Sequence, residues 1–265
     1  MLNKLLTRSN KNKYGWFGDY SSWDKVNSVA QDYDKQVISD KTGKARPGTD
    51  GRELLYDQDS VLFASEKCSY PLIAFLLMSA AIKKKPLNVL DFKGTLSGTY
   101  AQIKDFLAED VCASWNIIEQ EYTQSGPVNF EDKKFKFYSS ISECLEEKSI
   151  DFVLLSNSVQ YLKHPHVFLQ KLAAYHFDFI LFDRTPFNSI SSDRLTLQVA
   201  PTDVYPASHP SWFFHEDFFL SHFSSGYRIV AEFPTYIDGE SLVHIDHKPQ
   251  GVYKGFFLIN SLKYA

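Results

Sequence analysis

Between Leu87 and Tyr100 the chain reads Leu-Asn-Val-Leu-Asp-Phe-Lys-Gly-Thr-Leu-Ser-Gly-Thr-Tyr. An apolar run ending in a carboxylate, Asp91, passes into a turn holding Gly94 and Gly98, then into a helix-forming stretch from Ala101 to Leu107. This order constrains the fold more than any other feature. A buried strand, a glycine-bearing turn and a helix open a Rossmann-type nucleotide pocket, in which loop backbone approaches the ligand and the helix directs free N–H groups at it. A second strand-like run, Ser114 to Glu119, also ends in a carboxylate. An acid at that point holds a ribose diol, so the two acids point to an adenosine-type ligand. Lys93, Thr95 and Ser97 occupy the glycine positions of an Asp-x-Gly-x-Gly-x-Gly loop, and the glycines fall one place late. A Cβ at a left-handed or close-approach position is costly. On this loop alone, an ordinary strand–turn–helix connection without a ligand stays open.

From Leu87 onward, strand-like and helix-like segments alternate. Strands are predicted over Leu87–Asp91, Ser114–Glu119, Lys134–Tyr138, Asp151–Ser156 and Phe177–Asp183. Helices are predicted over Tyr100–Glu109, Ile141–Glu147, Val167–Tyr175 and His215–Phe223. Such alternation implies a parallel sheet covered on both faces, joined by right-handed crossovers, with its ligand crevice at the carboxyl ends of the strands. Tyr227–Phe233 and Gly255–Leu262 then read as two strands with a polar connection and no helix between them, hence an antiparallel pair. The expected fold is α/β: a doubly wound sheet, mostly parallel with one antiparallel strand, of the class I methyltransferase (Rossmann-like) kind. Residues 86–265 are expected to form that domain. Residues 1–85 are expected to be a helical N-terminal extension or lid. It includes Trp16, Trp23 and Tyr33, a Gly- and charge-rich linker from Lys41 to Arg52, and an apolar helix from Tyr70 to Ile82.

Composition narrows the function classes. With 265 residues, 44% of them hydrophobic, the chain can bury one large core, or a core plus a small appendage. An aromatic content of 15% fits a packed globule rather than disorder. A net charge of −4, with Lys83–Lys85 as the only dense basic run, argues against nucleic-acid binding. Cys68, Cys112 and Cys144 lack CxxC spacing and read as reduced thiols. Met1 to Lys13 lacks an apolar signal core, and Pro71 to Ile82 is too short to span a bilayer, so the expected location is the cytoplasm. His164-Pro-His166 and His244-Ile-Asp-His247 have metal-like spacing but no companion carboxylate or thiolate cluster, and no metal is expected.

A series of short motifs runs through nearly the whole chain. They are Tyr14-Gly-Trp-Phe-Gly-Asp-Tyr-Ser-Ser-Trp23, Val89-Leu-Asp-Phe92, Trp115-Asn-Ile-Ile-Glu-Gln120, Phe137-Tyr-Ser-Ser-Ile141, Leu155-Ser-Asn-Ser-Val-Gln-Tyr-Leu162, Phe182-Asp-Arg-Thr-Pro-Phe187, Leu195-Thr-Leu-Gln198 and Ser208-His-Pro210. In number and order they resemble a family of S-adenosylmethionine-dependent methyltransferases found among bacterial surface-polysaccharide genes. The resemblance implies S-adenosyl-L-methionine as cofactor and methyl transfer to a hydroxyl of a sugar or glycan precursor; a homo-oligomer stays open. The chain departs from that family twice. The family's loop looks like Asp-Phe-Gly-Gly-x-Leu-Gly where this chain has Asp91-Phe-Lys-Gly-Thr-Leu-Ser97, and a Tyr-Pro pair is more usual where it has His209-Pro210. The altered loop keeps open a non-catalytic binding or scaffold protein of the same fold. The displaced glycines and the reversed final strand argue against a dinucleotide enzyme.

On the cofactor side the candidate residues are Asp91, Gly94, Thr95, Gly98, Glu119, Gln120, Ser139, Ser140, Ser156 and Asn157. Glu119 is placed to bind the ribose, as a carboxylate accepting charge-assisted bonds; the duller reading is a solvated strand-end acid. Asp91 either orients the loop amides and meets the cofactor's ammonium group, or caps the turn. Ser139 and Ser140 follow the third strand near the adenine edge, although Ser140-Ile-Ser-Glu143 also fits a helix capping box. Ser156 and Asn157 end the fourth strand and face the crevice. Gln160, Tyr161 and Arg184 are candidates for the acceptor. A positioned base is needed to methylate an alcohol, with His209 the first candidate and Asp183 the second. Trp16, Phe17, Tyr20 and Trp23 either close over a cofactor or pack as core.

Overall fold

The computed structural model describes residues 14–30, 56–58, 61–63, 69–94, 99–119, 134–199 and 208–264. Its strands are β1 (Gly15–Phe17), β2 (Tyr56–Gln58), β3 (Val61–Phe63), β4 (Leu87–Phe92), β5 (Cys112–Ile118), β6 (Phe135–Tyr138), β7 (Phe152–Ser156), β8 (Phe179–Asn188), β9 (Arg194–Val199), β10 (Ser208–Phe213), β11 (Tyr227–Pro234), β12 (Val243–Ile245) and β13 (Lys248–Asn260). Its helices are α1 (Trp23–Asn27), α2 (Tyr70–Lys83), α3 (Thr99–Ile103), α4 (Ile141–Glu147), α5 (Pro165–Ala174) and α6 (Glu216–Ser221), with single 3₁₀ turns at Lys104–Phe106 and Val159–Tyr161.

The sheet runs β6-β5-β4-β7-β8, all parallel, then β13 and β11. β13 is antiparallel to both of its neighbours, β8 and β11. Counted from β4 and leaving aside the strands outside this run, the order is third, second, first, fourth, fifth, seventh, sixth. Only the seventh strand is reversed. This is the doubly wound arrangement of the class I methyltransferase fold, as the alternation of elements and the reversed tail strand predicted. The parallel strands are apolar on both faces because both faces are covered. Leu90, Val153, Leu155, Ile180 and Phe182 pack under α4, α5 and α6 with Cys144, Leu169, Leu172, Phe219 and Phe223. Val89, Trp115, Ile117, Leu154 and Leu181 pack on the other side with Leu72, Leu76 and Ile103. Each such side chain contributes about 1.5–3 kcal/mol by leaving water.

Local chemistry sets the helix ends. Ser69 caps α2 by accepting the Leu72 N–H, and the helix stops at Lys84, whose φ of 54° is left-handed. α4 starts where the Ser140 side chain accepts the Glu143 N–H. The helix predicted over Tyr100–Glu109 is shorter: α3 gives way to the 3₁₀ turn and then to a turn through Val111 that feeds β5.

A lateral arm was not foreseen. β8 and β13 run on past the parallel strands, and β12, β1, β9 and β10 add to them in that order. The segment expected to be helical at the N-terminus thus contributes a strand, β1, between β9 and β12. Trp16 on β1 packs edge-on against Phe213 at 5.8 Å and sits in a small core with Val243, Ile245 and Tyr253. The polar tail connection also holds a strand, β12, joined to β13 through Asp246 and His247, both left-handed (φ 49° and 64°) as a tight hairpin turn requires.

Where the arm joins the sheet, β8 is bulged. Lys254 pairs with Thr185 and Phe256 with Phe182, so Asp183 and Arg184 together face Gly255. A Cβ on Gly255 would lie 2.1 Å from the Phe233 ring, which leaves glycine as the residue that fits. Bulges of this kind re-aim side chains at sheet ends and beside active sites.

Candidate functional site

At the carboxyl ends of β4, β5 and β6 lies a cavity of about 590 Å³, within the usual range for small-molecule sites. Phe92, Ile118, Ile141, Leu162, Phe168 and Leu172 give it apolar walls. Lys93, Glu119, Ser139, Ser140, Ser142 and Lys171 give it polar ones. Glu119 follows β5 directly and is half-buried, and its N–H donates to the Tyr138 carbonyl at 3.1 Å. Ser139 and Ser140 follow β6 and are also cap residues. Ser140 Oγ accepts the Glu143 N–H at 3.2 Å, while Glu143 Oε2 accepts from the Ser139 N–H at 2.8 Å and the Ser139 hydroxyl at 2.5 Å. These bonds from Ser139 hold the Glu143 carboxyl below its ordinary range.

Lys93 stands where the common loop has its first glycine. Its φ is 59°, and its N–H donates to the Ile118 carbonyl at 2.9 Å, stitching the end of β4 to that of β5. The left-handed backbone that glycine adopts freely is thus retained with a side chain, at a cost of roughly 1–2 kcal/mol. Gly94 is required sterically, since a Cβ there would sit 2.4 Å from Asp91 Oδ2. Asp91 is buried beneath that backbone and accepts from Trp115 Nε1 at 3.1 Å. Burial pushes its pKa up to about 7, against the opposing pull of the Trp115 bond. Thr95, Gly98 and Gln120 lie outside the described residues.

The end of β7 and the bulge of β8 form a second, more buried network. Asn157 follows β7 with a φ of 45°, and its N–H donates to the Asp183 carbonyl at 3.0 Å. Its Oδ1 accepts from Gln160 Nε2. Ser156 Oγ donates to Asp183 Oδ2 at 3.3 Å. Asp183 and Gln160 are fully buried, and Asp183 Oδ1 and Gln160 Oε1 have no hydrogen-bond partner among the described residues. Burial pushes Asp183 up to about 6, with the Arg184 charge pulling the other way. Arg184 (φ 50°) sends its guanidinium to Glu240, with Nε 3.2 and 3.1 Å from the two carboxylate oxygens and Nη2 2.5 Å from Oε1. Thr235 Oγ1 donates to the same carboxylate at 2.6 Å. Tyr161, next to Gln160, donates its hydroxyl to Gln198 Oε1 at 3.1 Å and meets the His209 ring edge-on at 5.0 Å. His209 is opposite Gln198 in the β9–β10 register.

The sequence-predicted residues therefore fall into two groups. Glu119, Ser139 and Ser140 line the cavity, with Asp91 and Gly94 beside it under Lys93. Ser156, Asn157, Gln160 and Asp183 make one hydrogen-bonded network, with Tyr161 and His209 next to it. The turn through Gln160, Tyr161 and Leu162 joins the groups, because Leu162 also lines the cavity. Lys93 and Asn157, just past the ends of β4 and β7, and Arg184, in the bulge of the adjacent β8, are non-glycine residues in left-handed conformations, a form of local strain that collects at functional sites. Sequence reasoning missed Trp115, Gln198 and Glu240. The last two reach the site across 37 and 56 positions of chain, a distance over which sequence spacing carries no geometry. Among the described residues, no group of three or more His, Cys, Asp or Glu is placed to hold a metal ion. Nor is any helix among them long and apolar enough to cross a membrane.

Neither a protein-family model nor a curated protein matches the sequence. Among solved structures, one similar to this chain is the 1,6-didemethyltoxoflavin-N1-methyltransferase of Burkholderia thailandensis with bound 1,6-didemethyltoxoflavin and S-adenosylhomocysteine (14% identity, 92% of each chain, TM-score 0.46). Another is the N-terminal domain of EvdMO1 in the presence of S-adenosylhomocysteine and D-fucose (9% identity, 86% of this chain and 97% of that one, TM-score 0.47). A third is the glycopeptide N-methyltransferase MtfA with sinefungin (12% identity, 73% of this chain and 96% of that one, TM-score 0.42). Likeness at this level does not carry over a ligand or a reaction. The doubly wound sheet with its reversed β13 stands on its own strand order and directions.

Proposed function

We propose that this chain is an S-adenosylmethionine-dependent methyltransferase acting on a hydroxyl of a sugar or glycan precursor. Glu119 carries the reading. It is a half-buried carboxylate at the end of β5, in the wall of a cavity that also receives the ends of β4 and β6. A ribose diol presents two donors that such a carboxylate accepts. Ser139 gives its hydroxyl proton to Glu143 and keeps its oxygen as an acceptor, whereas Ser140 Oγ accepts a backbone N–H and keeps its proton to donate. An adenine edge offers an amino donor and a ring-nitrogen acceptor, which complement that pair. Gly94 lets loop backbone close onto Asp91, as a cradle for a small ligand requires. Glu119, Ser139, Ser140 and the Lys93–Gly94 backbone are the groups that would hold the cofactor, which supplies an activated methyl group when bound.

The acceptor side is the Asp183 network. Asp183 Oδ1 and Gln160 Oε1 are buried acceptors with no donor among the described residues, and the nearby Arg184 cation is neutralised by Glu240. A group seated there has to donate hydrogen bonds, as a hydroxyl does and a carboxylate does not. With its pKa raised to about 6, Asp183 can take a proton near neutral pH. His209, beside Tyr161, is the other candidate base. A positioned base contributes roughly 10²–10⁴-fold, and holding the hydroxyl in line contributes about 7–11 kcal/mol more. The choice of a carbohydrate rests on the sequence resemblance alone.

Calorimetry with S-adenosylmethionine, S-adenosylhomocysteine and NAD tests the reading. The first two should bind and the third should not, and Glu119→Ala should weaken binding by roughly 1.5–3 kcal/mol, the worth of a charge-assisted bond. Unchanged affinity in that variant would remove Glu119 from the ribose site. A second reading, a non-catalytic binding protein, is favoured by the Lys93 side chain at the cavity where a glycine is usual. Failure of both adenosyl compounds to bind would favour it.

A further inference from the structure

Asp193 immediately precedes β9, at the root of the arm. Its Oδ1 accepts the His215 N–H at 2.7 Å, which ties the start of β9 to the segment following β10. Its Oδ2 is hydrogen-bonded to Nε2 of His166, in the first turn of α5. On the other side of that ring, His166 Nδ1 lies 2.8 Å from Nε2 of His222, the C-cap residue of α6. Phe218 covers the His166 ring at 4.3 Å and Phe214 meets its edge at 6.0 Å. The titratable groups facing one another here are Asp193 from the arm's root, His166 from α5 and His222 from α6, and His215 contributes only its backbone N–H. None of them belongs to the catalytic or cofactor groups above.

Counting protons shows what the array tolerates. With both imidazoles neutral, His166 donates from Nε2 to Asp193 and accepts at Nδ1 from His222. With one added proton, His166 donates from both nitrogens and His222 accepts. Both states satisfy every contact. With a second added proton, an N–H on His166 points at an N–H on His222 and two cations meet at hydrogen-bond distance, so the contact breaks.

We propose that Asp193, His166 and His222 form a pH-sensitive clamp that holds the β9–β10 arm against α5 and α6 while the two imidazoles carry at most one extra proton between them, and lets go when both are charged. The arm carries Gln198 and His209, and α5 carries Phe168, Lys171 and Leu172 of the cavity wall. Release therefore separates groups from the two halves of the site. His222 is held below its ordinary range, chiefly by burial and next by the neighbouring His166. A folded-state value below the unfolded one means that the clamp's stability is full above about pH 6.5 and is lost as the pH falls through the lowered value.

The test is amide hydrogen exchange in the full chain, corrected for intrinsic rates, at neutral pH and at about pH 5. Protection across Arg194–Val199 and Ser208–Phe213 should fall about fivefold or more in the wild type at the acid pH, the lower end of typical coupling between sites. His222→Gln keeps a hydrogen-bond partner that does not titrate and should retain that protection. Asp193→Ala should lose it at both pH values while β4 and β7 stay protected. Equal acid sensitivity of the arm in wild type and His222→Gln overturns the clamp. If the variants do not fold, NMR titration of the wild-type imidazoles decides. Two coupled steps, with His222 the lower, support the clamp, and two independent unshifted curves overturn it.

Discussion

The two halves of the candidate site differ in how their polar groups are satisfied. At the ends of β4, β5 and β6, the serines and Glu143 satisfy one another within five residues of chain, and the space above them is open. At the end of β7 and the bulge of β8, the groups are buried, and Asp183 and Gln160 each keep an oxygen without a donor among the described residues. Burying such atoms unmatched costs about 1–3 kcal/mol each. On the proposed reading, such atoms would be met by a ligand's donors, the first half holding the cofactor and the second facing the acceptor.

The strongest way to break this contrast is Asp183→Asn. Turnover should fall roughly 10²–10⁴-fold if the carboxylate is the base, with S-adenosylmethionine affinity unchanged by calorimetry. The same variant sharpens a stability prediction. Because the folded value is raised to about 6, the wild type loses stability as the pH rises from its ordinary carboxylate range through that value, and the asparagine form should not. Parallel pH-dependent melting curves for the two proteins would remove the buried-acid assignment. Next in size is Arg184→Ala, which leaves Glu240 without its cation and should destabilise by about 3–5 kcal/mol in denaturant titration. A cost below 1 kcal/mol, by that titration, would show that the bulge holds itself. The smallest effect belongs to Lys93→Gly, which relieves a left-handed side chain and should raise stability by about 1 kcal/mol, roughly 2–4 °C in melting temperature. A lower melting point would mean that the Lys93 side chain contributes more than its backbone costs.

The same contrast explains what could be read from the sequence. α4 was predicted with its observed bounds because Ser140 and Glu143 announce it locally. The parallel strands were legible as apolar runs followed by helices, and the reversed β13 followed from the missing helix in the tail. The arm was not legible. β1 is three residues long, and β10 contains Pro210, which argues against a strand unless the strand lies at an edge, as this one does. The bulge at Asp183 and Arg184 depends on Gly255 and Glu240, which are distant in sequence. Glu119, Ser139 and Ser140 could be placed from strand ends alone, whereas the surroundings of His209 and Tyr161 depend on Gln198 in a strand that was not foreseen.

β13 has a consequence for how the chain assembles. It is the partner of β8, β11 and β12 at once, and all three precede it in the chain. During synthesis the open flank of β8 and one edge of β12 therefore wait, unsealed, for residues 248–260 to appear. Such distant pairings make for slow maturation, and interim exposure of unpaired strand edges invites self-association. For this protein, a single strand, β13, closes both the parallel sheet and its arm.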